Sequence, residues 1–579
     1  MLSRLIEQRL RAAVAQRLPD APLDQVQLRP CADARFGDYQ SSALMLFAKE
    51  RRLNPRQLAT EVLALLEVSA WCGKVEVAGA GFLNFHLRPE AISEALRSAC
   101  RGEHLFYTRT TAARTVVVDF SSPNVAKPMH VGHIRSTILG DCLARTLRLL
   151  GHRVITDNHI GDWGTQFGKL LVGWKTALDR PALDRDPLGE MERLYKLLNV
   201  VCEQDPAVLD RARQELVRLQ DGDAENLAIW HEMIALSQVQ FDALYGRLGV
   251  RFDYTLGESF YNPRLKSVVT ELRSAGIATE SEGALVIFFP DQPDLKSAPA
   301  IVQKSDGAAN YATTDLATLS HRLETWQPDE IIYVTDGRQQ LHFKQIFAAF
   351  RRWRPEVTCR LAHVWFGAIL GDDGKPFKTR AGDTIKLEDL LDEAEERAYQ
   401  AVTGKNPDAP ETDRREIARV VGLGAVKYSD LLPNRQSDYV FSWDKILALN
   451  GNTAPYLQYA YARIRSIFRK LETAEPGATD WLVEAGKSLQ VVAPEEIRLA
   501  RHLLNFGLVL EGVAEEYRPN FLCNYLYELA GHFTGFYEHC PVLKAVGTER
   551  ATRLALCELT ARVLKQGLEV LGIETAERM

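Results

Sequence analysis

No run of about 18 consecutive apolar residues occurs in this 579-residue chain, so no membrane-spanning helix is expected. No C-x-x-C pair occurs among the nine cysteines, which are scattered from Cys31 to Cys557, so the usual signal for structural zinc is missing. His231-Glu232 is not followed by the second histidine of a zinc-protease helix, which leaves it a surface pair. There is no internal repeat and no low-complexity segment. Nor is there an excess of positive charge: the net charge is −6, so the molecule as a whole does not attract nucleic acid. A local basic surface could still do so, because salt screens distant charges. The opening MLSRLIEQRLRAAVAQRL lacks the uninterrupted apolar core of a secretion signal. Its apolar residues Leu2, Leu5, Ile6, Leu10 and Val14 instead mark one face of a helix. An odd, dispersed set of cysteines without a targeting segment fits a reducing cytoplasm.

What is present divides into three parts, as a chain too long for one core should. Residues 1–112 read as an α+β unit. A first helix ends near Pro19, Phe36-Gly37-Asp38-Tyr39-Gln40 opens a helical stretch from Ser41 to Arg51, and another follows Asn54-Pro55. Val75–Val77 and Phe82–Phe85 then read as paired strands around Gly79-Ala80-Gly81. The unit is either a structural appendage or an RNA-contacting one. From 113 to 447 the pattern is α/β: strand 116–120, helix 133–150 and strand 153–156 make a β-α-β unit. The turn-rich Gly161–Gly168 follows, then a charged helical insertion at about 178–245. Strands are expected again at 284–289, 301–304, 331–335 and 361–366, with helices at 315–324 and 341–353 between them. Two groups of parallel strands around an insertion make a split doubly wound fold. From 448 to 579 the strands stop, and helices are expected at 456–470, 494–517, 522–539 and 551–571.

The chemistry concentrates in Val116–Gly151, where a short apolar run leads into a polar loop and then a helix opening on His130-Val131-Gly132-His133. A helix N-terminus offers unpaired N–H groups and a partial positive charge, which suits phosphate. Two imidazoles three residues apart in that first turn can donate to one polyphosphate, and Gly132 leaves room for a base or ribose. A second element is Gly374-Lys375-Pro376-Phe377-Lys378-Thr379-Arg380, a cationic loop able to offset charge on departing phosphate.

These motifs resemble those of class I aminoacyl-tRNA synthetases, and the longer strings resemble the arginyl-tRNA synthetases in particular. His130-Val131-Gly132-His133 is similar to the HIGH signature, and Lys375-Pro376-Phe377-Lys378-Thr379 to a degenerate KMSKS loop. Ser122-Pro-Asn-Val-Ala-Lys-Pro-Met-His-Val-Gly-His, together with Gly161-Asp-Trp-Gly-Thr-Gln, is more specific than either signature. Phe36–Gln40 resembles that family's N-terminal domain, and Asn452–Arg463 the start of its anticodon-binding domain. The resemblance covers essentially the whole chain. It implies a multidomain α/β protein: an N-terminal α+β domain that contacts tRNA, a split Rossmann-like class I catalytic domain, and a C-terminal all-α helical bundle that reads the anticodon.

It also implies ATP-dependent attachment of L-arginine to tRNA(Arg) through an arginyl-adenylate. ATP would enter with Mg2+, with no protein-bound metal or prosthetic group. The expected state is a monomer in the cytoplasm. A guanidinium is always charged and presents a planar fork, so carboxylates are its matched partners. The resemblance places Asp119, Tyr311 and Asp315 on the guanidinium, and Asn124 and Gln339 near the α-amino and α-carboxylate groups. His130, Gly132 and His133 would hold ATP. Lys375 and Lys378 would hold the departing pyrophosphate, with Lys127, just upstream of the histidines, able to share or replace the role of Lys378. For tRNA the implied contacts are Tyr456, Tyr459 and Arg463, where aromatics interleave with basic residues, and Phe36, Tyr39 and Gln40. Two rival readings, a small-molecule nucleotidylyltransferase and a non-catalytic RNA-binding protein, share part of this pattern. The first leaves both terminal domains unexplained, and the second leaves the intact histidines and lysines unexplained.

Overall fold

Val116, Val117 and Val118 are fully buried, as an apolar run must be when a parallel sheet is covered on both faces. In the computed structural model, which describes residues 1–31, 33–371, 373–377, 385–477 and 480–579, they lie in strand Thr115–Asp119. That strand is the centre of a five-stranded sheet. On one side it pairs in parallel with Arg153–Asn158, which pairs with Tyr254–Thr255. On the other it pairs in parallel with Glu330–Tyr333, followed by Arg360–His363. The chain therefore leaves the central strand one way and later returns to its other side. The carboxyl edge between Thr115–Asp119 and Glu330–Tyr333 is the topological switch point, where doubly wound folds bind ligands. Register puts Asp119 level with Asp157 on one neighbour and Tyr333 on the other.

Two compact units make up the molecule. One comprises Thr111–Leu447 with Leu571–Ile573 and contains this sheet. Helix Val131–Leu149 follows the central strand and stops at Leu150-Gly151, where Gly151 adopts φ 93, a left-handed helix ending that glycine tolerates best. The strands expected at 284–289 and 301–304 are a correction to the parallel reading. They form Ala284–Ile287 and Ala300–Gln303, antiparallel to one another in a separate three-stranded sheet with Thr279–Ser281. A short apolar run announces a strand but not the direction of its partner, and the connection between these two holds no helix of the kind that usually carries a parallel crossover. The insertion is helical over Arg180–Arg185, Pro187–Gln204, Pro206–Gln220 and Ala224–Leu248. Each of these helices starts on an aspartate, Asp179, Asp186, Asp205 or Asp223, whose carboxylate accepts a first-turn N–H. A helix at Gln166–Ala177 and a hairpin of helices, Leu387–Lys405 and Glu411–Leu431, are additions to the sequence reading.

The other unit joins Met1–Thr110 to Ala448–Val570 and Glu574–Met579. Its antiparallel sheet runs Arg29–Pro30, Tyr39–Ser41, Phe82–Leu87, Cys72–Ala78. Residues 39–41 are thus a strand, and the helix expected from Ser41 begins at Ala43. Helix Pro89–Cys100 is tied to the C-terminal helices: Arg97 donates to the Leu489 carbonyl at 2.7 Å, and Ser93 Oγ accepts the Val491 N–H at 3.2 Å. The helix expected over 494–517 is two, Pro494–Leu503 and Phe506–Glu516. Among the described residues, no helix is long and apolar enough to cross a membrane.

Candidate active site

His130 caps the helix Val131–Leu149 in an extended conformation (φ −122, ψ 170). Its Nδ1 accepts the Gly132 N–H at 3.0 Å, and His133 Nδ1 accepts the His130 N–H at 3.0 Å. With both Nδ1 atoms accepting, each neutral ring carries its proton on Nε2 and presents that N–H as a donor. Burial, with the neighbouring His130, pushes the His133 pKa down to about 3. Burial also lowers that of His130, helped by the charges of Arg338 and Lys127. Both imidazoles are therefore neutral donors at pH 7, with ring centroids 4.0 Å apart. Gly132 is required for this geometry. A Cβ there would lie 2.8 Å from His130 Cε1, so any side chain would displace the ring.

Between strand and helix runs the loop that carries Asn124 and Lys127. The Asn124 backbone bridges to Gly161, where a Cβ would meet Asn124 Oδ1 at 2.3 Å. The glycine opening GDWG thus makes room for the asparagine side chain. Lys127 Nζ rests 4.4 Å from the centroid of the Tyr195 ring, on the insertion.

Beside this loop, at the switch point, is a cleft of about 360 Å³. Asp119, Asn124, Tyr311, Asp315 and Gln339 all line it, so the fold brings together every residue expected on the amino acid. Their states differ. Asp119 is already engaged: Arg322 Nη2 donates to it at 2.6 Å and to Asp157 at 2.8 Å, with all three side chains buried. Burial raises the Asp157 pKa, while the two carboxylates raise that of Arg322. The carboxylate expected on a substrate guanidinium is thus already paired with the protein's own arginine, which it shares with Asp157. Asp315 accepts from His342 Nε2 at 2.5 Å with one oxygen. Tyr311 opens the helix Tyr311–Trp326 and is 72% exposed at the mouth.

The lining also contains Glu258, His159 and His342, which sequence reasoning missed. Glu258 lies in the short turn Glu258–Tyr261. Burial, with Asp162 and Asp315 nearby, raises its pKa to about 8. A lone glutamate in a loop carries no sequence signal. The one hint is the glycine before it, where a Cβ would lie 2.2 Å from Asp162 Oδ2.

The cationic loop joins the histidine helix at its far end. The Val131 N–H donates to the Ile385 carbonyl and the Leu387 N–H to the Met129 carbonyl, both at 2.9 Å. At its near end the Lys375 N–H donates to Asp373 Oδ1 at 3.0 Å, and Phe377 packs on Phe441. Lys378, Thr379 and Arg380 lie outside the described residues.

Known proteins match this arrangement along the chain. The family model for the class I tRNA synthetase (R) catalytic domain matches residues 95–443, that for the arginyl tRNA synthetase N-terminal domain 2–87, and that for the DALR anticodon binding domain 457–579. Arginine–tRNA ligases of Shigella sonnei strain Ss046 and Escherichia coli strain K12 / DH10B are each 46% identical over 567 residues, covering 96% of this chain and 97% of the relative. The chain belongs to the arginyl-tRNA synthetase family. Solved arginyl-tRNA synthetases of Thermus thermophilus and Plasmodium falciparum overlay it with a TM-score of 0.82 at 28% identity, over 100% of this chain and 100% and 99% of theirs. The α/β catalytic fold, the N-terminal domain and the helical C-terminal domain are those of the family.

The residues that the resemblance to arginyl-tRNA synthetases placed on tRNA are not equally accessible. Phe36 is 55% exposed and Gln40 half-buried, but Tyr39 is 1% exposed in the sheet core. Tyr39 is corrected accordingly: its side chain packs inward from the strand and is not available to RNA. On helix Ala454–Ala474, Tyr459 is exposed and Tyr456 half-buried against Tyr527. The Arg463 guanidinium lies 4.8 Å from the Tyr537 ring centroid. Tyr461 faces elsewhere and donates its hydroxyl to Glu577 at 2.6 Å, a carboxylate shared with Arg465.

Proposed function

We propose that the cleft binds L-arginine with Glu258 and Asp315 on its guanidinium, and that the neutral imidazoles of His130 and His133 hold ATP beside it. The enzyme is an ATP-dependent arginine–tRNA ligase, and this assigns its two half-reactions to one place. The observation that carries the assignment is charge. Asp119 and Asp157 share the buried Arg322, whereas Glu258 and Asp315 line the cleft without an arginine or lysine partner among the described residues. A planar cation with a fork of donors balances them. Tyr311 stands at the mouth, and Asn124 and Gln339 are left for the α-amino and α-carboxylate groups.

In the first step an oxygen of the arginine carboxylate attacks the α-phosphorus of ATP. The bond to pyrophosphate breaks, giving arginyl-adenylate. In the second, a terminal ribose hydroxyl of tRNA attacks the adenylate carbonyl carbon and AMP leaves. No protein nucleophile is needed, and the work is positioning and charge stabilisation. The imidazole Nε2–H groups orient phosphate oxygens without adding charge. Lys127 and Lys375 supply positive charge, Lys378 is assigned the same role, and ATP enters as its Mg2+ complex. Lysine is rejected because its ammonium cannot fill the fork, and each buried acceptor left unpaired costs about 1–3 kcal/mol.

For tRNA we assign Tyr456, Tyr459 and Arg463 to unstacked bases and phosphates, and Phe36 and Gln40 to a second contact. A reducing cytoplasm suits nine free thiols, and the monomer expected from the resemblance is part of the same reading. Arginine-dependent charging of total tRNA tests the reading. His133→Ala should lose turnover by roughly a hundredfold or more while keeping tRNA affinity; equal losses of both would remove its assigned role. Pyrophosphate exchange is expected to require tRNA, and equal exchange without it would refute that requirement.

A further inference from the structure

The loop carrying Asn124 and Lys127 is held in a conformation that side chains resist. Ser121 (φ 75), Ser122 (φ 49) and Ala126 (φ 61) all sit in the left-handed region, and none is glycine. Such backbone persists only where its surroundings over-determine it. Here each of the three N–H groups donates to a side-chain oxygen from elsewhere in the chain. Ser121 donates to Ser136 Oγ at 2.8 Å, Ser122 to Asn158 Oδ1 at 3.0 Å, and Ala126 to Ser237 Oγ at 3.0 Å.

Ser237 belongs to the insertion, on helix Ala224–Leu248. It is fully buried, and its own proton goes to the Met233 carbonyl at 2.7 Å. Its oxygen is thereby left as an acceptor for Ala126. Further along the same helix, Tyr245 Oη lies 2.8 Å from Ser121 Oγ and accepts from Asn158 Nδ2 at 3.1 Å. The Asn158 amide is fixed by accepting from Ser122, so its NH2 must face Tyr245. The phenol's own proton is then available to Ser121 Oγ, which Thr137 Oγ1 also reaches at 2.9 Å. One insertion helix therefore braces both ends of the strained loop.

We propose that Ser237 and Tyr245 are positioning residues for arginine activation. From the insertion they fix the Ser121–Ala126 loop so that Asn124 faces the amino-acid cleft and Lys127 the phosphates. The proposal rests on the reading of Asn124 and Lys127 given above. It gives the last helix of the insertion a part in the chemistry although it touches no substrate.

Ser237→Ala and Tyr245→Phe each remove one oxygen and leave the packing volume nearly unchanged. Both are measured in the full-length enzyme by pyrophosphate exchange with tRNA present, normalised to active sites by adenylate titration. Each variant should lower kcat/KM for arginine by roughly ten- to a hundredfold per active site, with a raised KM. A merely structural role would reduce the number of active sites and leave KM and the per-site kcat at wild-type values; that result overturns the proposal. Adding Ser237→Ala to Asn124→Ala should cost arginine affinity nothing more, since one acts through the other. If Asn124→Ala alone is silent, the substrate role of Asn124 is what fails. Bracing by Ser237 is then measured through the KM for ATP, where a rise in Ser237→Ala supports an action on Lys127 and a wild-type value overturns it.

Discussion

Glu258 sits beside Asp162 and Asp315, and burial among them raises its pKa to about 8. The folded protein therefore favours the protonated acid. Its contribution to stability is present below pH 4.5 and is lost as the pH rises through 8, when the charge must be carried in the cleft. A guanidinium reverses the balance by pairing with the carboxylate, so arginine binding should release a proton below pH 8 and tighten as the pH rises from 6 to 8. Melting midpoints with and without arginine, taken at pH 6 and pH 8.5, should show the larger shift at the higher pH. Glu258→Gln should remove that difference, and a difference that survives in the variant would place the titration elsewhere. The histidines carry a separate expectation. 15N spectra of the imidazoles should show an Nε2–H tautomer for both His130 and His133, and since burial holds the His133 pKa at about 3, no protonation of His133 at pH 6. A cationic His133 at that pH would contradict the donor assignment. Spacing and chemistry make the histidines legible in the sequence. Glu258 and Arg322 are not, because a loop glutamate and a helix arginine read as surface until the fold buries them.

At the scale of elements, the histidine helix is anchored by a buried ion pair. Arg135 Nε lies 2.8 Å from Asp430 Oδ1, both side chains nearly inaccessible, and Arg135 Nη1 donates to the Gly367 carbonyl at 2.7 Å. One residue ties the helix that opens on the two histidines both to helix Glu411–Leu431 and to the segment leading into the cationic loop. Asp430→Ala would leave a buried arginine unpaired, a cost of about 3–5 kcal/mol. Urea unfolding of the variant should begin at a clearly lower concentration than that of wild type; an unchanged transition would show that the pair is not needed. Elements with strong periodicity or clear caps are legible in the sequence, among them the central strand, the histidine helix and the insertion. The hairpin 387–431 is not, since its charged stretches mask the apolar stripe that packs its two helices together. The strands at 284–287 and 300–303 are recognisable as strands but not by partner, because a short apolar run carries no information about direction.

For the whole molecule, a net charge of −6 means that tRNA must be held by local surface rather than overall field. Tyr459 and Arg463 offer such a surface. Tyr459→Ala and Arg463→Ala should each raise the KM for tRNA several-fold and leave the KM for arginine alone. Removing Arg463 should also flatten the dependence of log affinity on log salt by about 0.7, as expected for one lost phosphate contact to a single strand. An unchanged slope would mean that Arg463 only packs on Tyr537. In the reading proposed above, the amino acid is chosen in the cleft at the switch point by Glu258 and Asp315, which have no arginine or lysine partner among the described residues. Calorimetric titration of arginine and of lysine into wild-type enzyme and Asp315→Asn tests this most directly. Wild type should bind arginine and give no measurable heat with lysine, and the variant should lose arginine affinity by roughly tenfold or more, as the loss of one charged hydrogen bond implies. Arginine binding at wild-type affinity in Asp315→Asn would contradict it.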